Sequence, residues 1–371
     1  MSAQKWLFTV EPFEDELLSS WLTRIAKVNF TTVVGLFSQH WAGKSYFNKD
    51  IDIYEYPESF WQTLSECTDV SIERIQQMRL KSYEGYIQEN IKSFGKQRWI
   101  VTSSHDIKYH QRERGLCYCP LCLKENAYYK KEWKLYFVNA CTKHCCLLEP
   151  QCPQCGSSLA PVYSQADQGM EFCFYCGANL LDKEPTMIPR YSEGLKAIRR
   201  LLSIARRGYF LLNGRWYYSM SYFYVLKIFA RHISHAHYWK AMVQNDLKKH
   251  RNFPEQFTTK QMFRIIKRSV ELFQNWPHQF QEFFKRRKLR NKPRILEKRE
   301  RKNNCRDLPF WFLKSLEECV EVIHPLSKEE VDSIKAYLSQ KGELTAKKFA
   351  EIAGYQWDSG YRYLNLSQII N

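Results

Sequence analysis

The chain has 371 residues and a mass of 44.5 kDa, which corresponds to roughly two or three domains. Hydrophobic residues make up 44%, enough for folded cores, so a wholly disordered chain is excluded. The 56 Lys and Arg outnumber the 39 Asp and Glu and give a formal net charge of +17. This excess predicts an anionic partner, with nucleic acid favoured over an acidic membrane surface.

Neither a membrane span nor a signal peptide is indicated. No apolar run approaches the roughly 18 residues that a membrane-spanning helix needs. The N-terminal segment lacks the basic start, the longer apolar core and the small-residue cleavage site of a secretory signal. We therefore expect a cytoplasmic protein with no membrane partner.

The first predicted domain, residues 1–110, consists of short helices joined by short turns. Apolar residues recur at helical spacing from Leu17 to Ile25, and acidic residues precede them, where they favour the positive end of a helix. Thr31 or Thr32 is expected to cap a second helix, and Ser71 to begin a later one. The pattern fits either a plain helical core or a helix-turn-helix.

Residues 111–185 are predicted to form a tandem zinc-finger module. Helical periodicity fades here, and most of the 13 cysteines occur in this segment. Three features favour metal binding over disulfides, namely the C-x-x-C pairs, the odd number of cysteines and the expected reducing compartment. The expected metal ligands form two sequential groups, the first being Cys119, Cys122, Cys141 and His144 and the second Cys152, Cys155, Cys173 and Cys176.

Both groups have the spacing of four-ligand zinc sites. Each C-x-x-C turn aims two sulfurs at one point, and two such turns supply the tetrahedral ligands that Zn²⁺ prefers. Gly156 and Gly177 each follow a pair, where a tight turn around thiolates favours glycine. Four protein ligands leave no position for water or substrate, so two structural Zn²⁺ per chain are expected, with folding of the module coupled to metal binding.

Other ligand assignments stay open. Cys117, Cys145 and Cys146 could replace an expected ligand, but their C-x-C and adjacent spacings are poorer geometries, so we interpret them as packing or spare thiols. The groups could also interleave, since only seven residues separate His144 from Cys152. An iron–sulfur cluster is disfavoured by the histidine and by the repeated pairs.

The next segment, residues 190–284, is predicted as a domain of aromatic-rich helices. One helix is expected to end at Gly208, since a helix commonly stops at a glycine. A second is expected over residues 216–233, and a third to be capped by Thr258 or Thr259.

A basic linker is predicted over residues 285–306. It holds twelve Lys and Arg against two Glu, a formal charge of +10, and few apolar residues. Such a strip neutralises phosphates and binds them in a salt-sensitive way. The side chains expected to contact nucleic acid are Lys285, Arg286, Arg287, Lys288 and Arg290, together with Arg362 of the last domain.

The last predicted domain, residues 307–371, resembles a helix-turn-helix. Ser327 with Glu330 has the spacing of a capping box for its first helix. A turn at Gly354 is expected to lead into a recognition helix that carries Arg362. The inward-facing side chains of the helix between them are expected to be Phe349, Ala350, Ile352 and Ala353.

Several of these motifs belong together in one family. Residues 14–24, EDELLSSWLTR, place an acid-rich opening before a Leu-Ser-Ser-Trp-Leu helix and an Arg. The zinc region adds four motif elements, namely C-x-x-C-L at Cys119–Leu123, Trp133, C-x-x-H at Cys141–His144 and C-P-x-C-G at Cys152–Gly156. In these motifs, up to about residue 185, the chain resembles the TniQ/TnsD family of transposon target-selection proteins. It departs from the family at Cys145-Cys146, where a glycine commonly follows the histidine.

This resemblance implies a non-enzymatic adaptor that works in the bacterial cytoplasm. Such proteins link a target-recognition element to a TnsC-like AAA+ ATPase regulator, which then admits the transposase. In some systems the family member reads a target DNA site itself. In others it binds a CRISPR-associated guide-RNA complex, sometimes as a homodimer.

The expected fold is mainly α and multi-domain, with tandem zinc modules between helix-turn-helix-like parts. Two other function classes compete with the adaptor. A zinc-ribbon helix-turn-helix transcription regulator would bind a specific DNA sequence alone. A nuclease or transposase would need a carboxylate site such as Asp50 with Asp52, although acidic residues in loops are common.

Overall fold

The described part of the chain, in a computed structural model, is mainly α-helical with two small two-stranded sheets. The structure describes residues 4–41, 50–93, 99–101, 115–243, 257–286, 308–317 and 327–353. The described residues up to Arg286, together with 308–312, form one compact unit, and those from Leu313 onwards form a second. The mainly α fold is thus confirmed, while the finer domain boundaries stay predictions.

Four helices build the N-terminal part, as the sequence predicts. Thr32 Oγ1 accepts a hydrogen bond from the Gly35 amide, and Ser71 Oγ accepts one from Arg74, so both predicted caps are present. The helices surround a buried core in which Trp21 is fully enclosed. Their bounds are α1 Leu18–Val28, α2 Val33–Trp41, α3 Glu58–Thr68 and α4 Ile72–Met78, followed by a 3-10 turn at Leu80–Tyr83.

The cysteine-rich part contains little regular structure. Strands β1 and β2 pair antiparallel with Cys141 opposite Cys146. The elements are α5 Pro120–Glu125, β1 Ala140–Cys141, β2 Cys146–Leu147, and 3-10 turns at Lys131–Lys134, Pro161–Tyr163 and Leu180–Asp182. Most of its backbone is held by turns and isolated bridges, which is why helical periodicity is absent from the sequence.

The Leu-Ser-Ser-Trp-Leu motif joins α1 to the cysteine-rich part. Ser20 Oγ accepts a hydrogen bond from the Tyr129 amide at 2.9 Å and donates one to Glu16 Oε1 at 2.9 Å. The Leu17 amide donates to the Tyr129 carbonyl at 3.0 Å. These residues are buried, so an apolar replacement for Ser20 leaves the Tyr129 amide without its acceptor.

A buried ion-pair network forms a second connection. Lys134 Nζ lies 3.0 Å from Asp50 Oδ2 and 2.9 Å from Asp52 Oδ2, and all three side chains are at most 5% exposed. Asp52 also accepts hydrogen bonds from the amide and the hydroxyl of Ser19 in α1. The two carboxylates considered as a catalytic pair are therefore enclosed and engaged by a lysine that fixes the cysteine-rich part to α1.

A β-hairpin interrupts the aromatic-rich helices. The predicted end of α6 (Glu193–Arg207) is confirmed, because Gly208 caps it with φ +80°. The expectation of helix from residue 216 is wrong for its first three residues, which pair with the chain before them. Asn213 and Gly214 both have positive φ, and this Asn-Gly turn closes strands β3 Tyr209–Leu212 and β4 Arg215–Tyr218.

The remaining helices of the first unit pack around stacked aromatic rings. Tyr222 stacks on Phe273 with ring centroids 4.0 Å apart, and Trp276 lies 5.2 Å from Trp311. Thr258 forms the predicted capping box at the start of α8. The bounds are α7 Ser219–Val243, α8 Thr259–Glu271, α9 His278–Arg286 and α10 Phe310–Glu317, the last of which continues beyond this unit. No described helix combines the length and apolarity needed to cross a membrane.

The second unit contains α11 (Lys328–Gln340) and α12 (Ala346–Ile352). The capping box at Ser327 is confirmed, and Leu338 packs with Phe349 in a small buried cluster. The expectation that Ile352 faces inward is wrong. Its side chain is 46% exposed, because it lies at the end of its helix, past the small cluster around Phe349. The turn at Gly354 and the recognition helix lie outside the described residues, as does the side chain of Ala350.

Candidate metal centres

The first predicted group of ligands converges in the structure and is called site 1. Its four ligand atoms lie within 4.8 Å of one another. Cys122 Sγ is 3.6 Å from Cys141 Sγ, and His144 Nδ1 is 3.2 Å from Cys122 Sγ. These separations are close to the roughly 3.8 Å between sulfurs that share a tetrahedral zinc at about 2.3 Å. Site 1 comprises Cys119, Cys122, Cys141 and His144.

A carboxylate orients the histidine of site 1. His144 Nε2 lies 2.9 Å from Glu125 Oε1, which directs Nδ1 toward the three sulfurs. Lys143 forms an ion pair with the same carboxylate, and hydrogen bonds from Lys143 and His144 lower the pKa of Glu125. Glu125 was not among the residues predicted from the sequence, although its place one helical turn after Cys122 on α5 was a usable signal.

The second predicted group also converges and is called site 2. Cys152 Sγ lies 3.7 Å from Cys176 Sγ, and Cys155 Sγ lies 3.8 Å from Cys173 Sγ. Site 2 comprises Cys152, Cys155, Cys173 and Cys176, whose ligand atoms lie within 4.8 Å of one another. The ligands are therefore grouped in sequential order and not interleaved.

Glycines shape both turns of site 2. The amides of Gly156 and Gly177 donate to the carbonyls of Cys152 and Cys173, at 3.0 and 2.9 Å. Both glycines have positive φ, +72° and +74°, which a side chain would disfavour. The predicted role of these two residues in tight turns is confirmed.

Cys145 occupies the equivalent position in site 1. Its amide donates to the Cys141 carbonyl at 2.9 Å, and its φ is +53°. A non-glycine residue in this conformation costs about 1–2 kcal/mol. The departure from the family pattern at this position is thus a strained backbone in the same turn, and not a change of fold.

The other additional thiols are buried. Cys146 Sγ lies 3.5 Å from Cys119 Sγ, directly beside site 1. Cys117 is fully buried next to the Gly115 carbonyl. All cysteines of the described residues are free thiols.

Each site contains at least one thiol that ionises readily, and in site 1 a hydrogen bond with Cys119 also lowers the pKa of Cys141. Hydrogen bonding from Cys122 lowers the pKa of Cys119 to about 7. Burial raises the pKa of Cys155, but hydrogen bonds with Ser157 outweigh it and lower the value to about 7. Since thiolates are the metal-binding form, both clusters are suited to bind a soft divalent cation such as Zn²⁺ near neutral pH.

The predicted nucleic-acid residues are not brought into this region. Lys285 and Arg286 are the last two residues of α9, and the placement of their side chains lies outside the described part. Arg287, Lys288, Arg290 and Arg362 also lie outside the described residues. Their role stays a prediction.

The comparisons with known proteins identify the first part of this architecture. Residues 7–148 match the family model TniQ. The matched segment contains α1, the buried ion-pair network and all of site 1, and it ends before Cys152 of site 2. A search of curated proteins found no match to the chain. A TniQ domain indicates a role in transposon target selection, and residues 7–148 of the chain match that domain.

Proposed function

We propose that the protein is a non-enzymatic adaptor in transposition, which links a target-recognition element to a TnsC-like AAA+ ATPase regulator. The observation that carries the proposal is the TniQ match over residues 7–148, which contains site 1 and the helices joined to it. The target-recognition element is a DNA site or a CRISPR-associated guide-RNA complex. The adaptor works as a monomer or a homodimer.

The composition of the two metal clusters supports a structural role. Each offers four side-chain ligands, and a tetrahedral zinc held by four protein ligands has no open position for substrate or water. We assign one Zn²⁺ to each site. The metal fixes the turns that carry the ligands, and the chemistry of transposition falls to the partners.

The enclosure of Asp50 and Asp52 also supports an adaptor rather than a nuclease. A nuclease carboxylate must reach a divalent cation and a phosphate from solvent. Here Lys134 is paired with both acids in a site that is at most 5% exposed. Other acidic residues stay open to test, by measuring Mg²⁺-dependent cleavage of DNA by the purified protein.

The test of the adaptor role is reconstitution with the transposon's own proteins. The tagged full chain is mixed with the AAA+ regulator, the transposase, ATP and target DNA, and the complex is isolated by affinity and size-exclusion chromatography. We expect the regulator to co-elute with the chain, and an AAA+ ATPase from an unrelated transposon to stay unbound. Failure of the cognate regulator to bind with every component present would contradict the proposal.

The transcription regulator is distinguished by binding of DNA in isolation. That alternative requires tight, sequence-specific binding by the purified chain without any transposition protein. Its recognition helix was expected around Arg362, outside the described residues. A footprint at a defined operator together with no affinity for the AAA+ regulator would favour the regulator over the adaptor.

A further inference from the structure

The β-hairpin presents an aromatic groove that the adaptor role does not use. Side chains alternate along the strands, so Phe210 and Leu212 are buried while Tyr209, Trp216 and Tyr218 point outward. The groove beside them has a volume of about 750 Å³. The aromatic groove is lined by Gly85, Tyr86, Arg207, Gly208, Tyr209, Trp216, Tyr217 and Tyr218.

The outward rings are unusually exposed. Trp216 is 65% exposed and Tyr218 is 77% exposed, whereas the aromatic residues of the adjoining core are enclosed. Tyr209 meets Trp216 edge-on, with ring centroids 5.0 Å apart and planes at 87°, and so braces it on the hairpin. A contiguous group of exposed rings marks a binding surface more often than a scattered single residue does.

The opposite wall of the groove is fixed in place. Tyr86 lies so close to Gly208 that an added Cβ there would be 2.8 Å from Tyr86 Cε1. Ser219 Oγ donates to the Tyr86 carbonyl at 2.6 Å, and the Ser219 amide donates to the Gly208 carbonyl at 3.0 Å. The groove therefore exists before any ligand binds, which lowers the entropic cost of binding.

An arginine-lined depression of about 300 Å³ adjoins the aromatic groove. The two share Arg207, which is exposed and has no acidic partner among the described residues. Arg199 donates to the Thr142 carbonyl, and Arg206 pairs with Glu132 at 2.9 Å. One carboxylate thus balances the charge of one of these three guanidinium groups. The surface directly beside the exposed rings is therefore positively charged.

We propose that this joint surface binds single-stranded nucleic acid, with unpaired bases on the aromatic groove and phosphates on the arginines. Bases stack on tyrosine and tryptophan rings, and arginines hold the backbone, which is the division of chemistry seen here. A duplex keeps its base faces stacked inside the helix and cannot offer them to the rings. The assignment goes beyond the adaptor role and does not depend on it.

Fluorescence anisotropy with labelled 15-nucleotide oligothymidylate and oligouridylate tests the proposal. We expect Trp216→Ala to weaken binding roughly tenfold at both 0.1 and 0.5 M salt, because stacking does not depend on counterion release. Arg207→Ala should weaken binding at low salt and reduce the salt slope by about 0.7. Tyr191→Ala, which removes a ring that is 81% exposed and lies outside the groove, is the matched control and should bind like the wild type.

The predicted basic linker is a second source of affinity and is controlled separately. Each variant is also made with Lys285, Arg286, Arg287, Lys288 and Arg290 changed to Ala, and its circular dichroism spectrum is compared with that of its parent. The Trp216→Ala effect on either oligonucleotide should persist in that background. The proposal is overturned if Trp216→Ala and Tyr191→Ala bind both oligonucleotides with equal affinity. This holds also if Trp216→Ala then loses binding to a protein partner, because the rings would serve that partner and not nucleic acid.

Discussion

Sites 1 and 2 have matching ligand spacing but different relations to the fold. Site 1 lies within the TniQ domain, with its three cysteines buried and His144 held by Glu125. Site 2 lies beyond the matched residues, and its Cys176 is exposed. One C-x-x-C site is thus part of the core of its domain, and its neighbour forms a module attached to that core.

The contacts around each site support this distinction. Next to site 1, the backbone of residues 129–131 is hydrogen-bonded to residues 15–17, and Lys134 is paired with buried acids. The loops of site 2 contact α1 through Lys27, which donates to the carbonyls of Gln165 and Gln168, and they contact Tyr129, whose buried hydroxyl donates to the Met170 carbonyl at 2.9 Å. Losing site 1 should therefore disturb the N-terminal helices more than losing site 2 does.

The largest expected effect is the difference between Cys141→Ser and Cys176→Ser. Each removes one thiolate. Cys141→Ser should lower the thermal midpoint of the first compact unit by more than roughly 10 °C, because metal binding at site 1 and folding are coupled. Cys176→Ser should lower it by less than half of that. Circular dichroism melts of the two variants measure the difference, and equal losses would contradict the comparison.

Removing the lysine of the buried network should have the next largest effect. Lys134→Met leaves Asp50 and Asp52 buried without their cation, and we expect a loss of about 3–5 kcal/mol in the free energy of unfolding. The triple variant Asp50→Asn, Asp52→Asn, Lys134→Met should recover most of it. Urea denaturation gives both values, and a wild-type stability for Lys134→Met would show that the network does not join the two parts.

Glu125 allows the affinity of site 1 to be changed alone. In a Cys176→Ser background, Glu125→Ala should weaken zinc binding at site 1 by about 10- to 100-fold, because the histidine loses its orienting carboxylate. Competition with a chromophoric chelator measures the change. Glu193→Ala removes an exposed acid away from both sites and serves as control. Equal zinc affinities of the two variants would show that Glu125 does not support zinc binding at site 1.

Lys131 makes the stability of the contact between the site 1 region and α4 depend on pH. Lys131 donates to the Gln77 carbonyl at 2.5 Å and to Ser82, and burial lowers its pKa to about 8. Between pH 8 and 10 the unfolded chain therefore binds more protons than the folded one, so this residue makes stability rise with pH. The difference in unfolding free energy between wild type and Lys131→Met should increase over that range, and a constant difference would contradict the shifted pKa.

The smallest expected effect compares the turns of the two sites. Cys145→Gly should stabilise the protein by about 1 kcal/mol, because it relieves a positive φ. Gly177→Ala in site 2 should destabilise it by a similar amount. Thermal melts of zinc-loaded protein check both signs, and a destabilised Cys145→Gly would mean that packing of the buried thiol outweighs the strain.

The helices and ligand groups could be predicted because their signals are local. Thr258 and Ser327 cap their helices through contacts three residues away, and Gly208 ends α6 by its own backbone conformation. The spacing of the C-x-x-C turns likewise determines which atoms can meet. The Asn213-Gly214 turn carries an equally local signal, but the aromatic run after it favours a helix when the sequence is considered alone.

What the sequence does not reveal is pairing between distant segments. Lys134 is 84 and 82 residues from the two aspartates with which it pairs, and no local pattern indicates that contact. The sequential grouping of the ligands also depended on the folded chain, since spacing alone allowed interleaving. The exposure of Trp216 could not be predicted for the same reason, because the rings around it were equally consistent with a core.

Elemental analysis of the zinc content in the purified chain and in Cys176→Ser distinguishes two separable structural sites from any other arrangement. We expect two zinc ions per wild-type chain and one per Cys176→Ser chain, with the N-terminal helices still folded. A wild-type content of none or one, or loss of both ions together in Cys176→Ser, would contradict two separable structural sites.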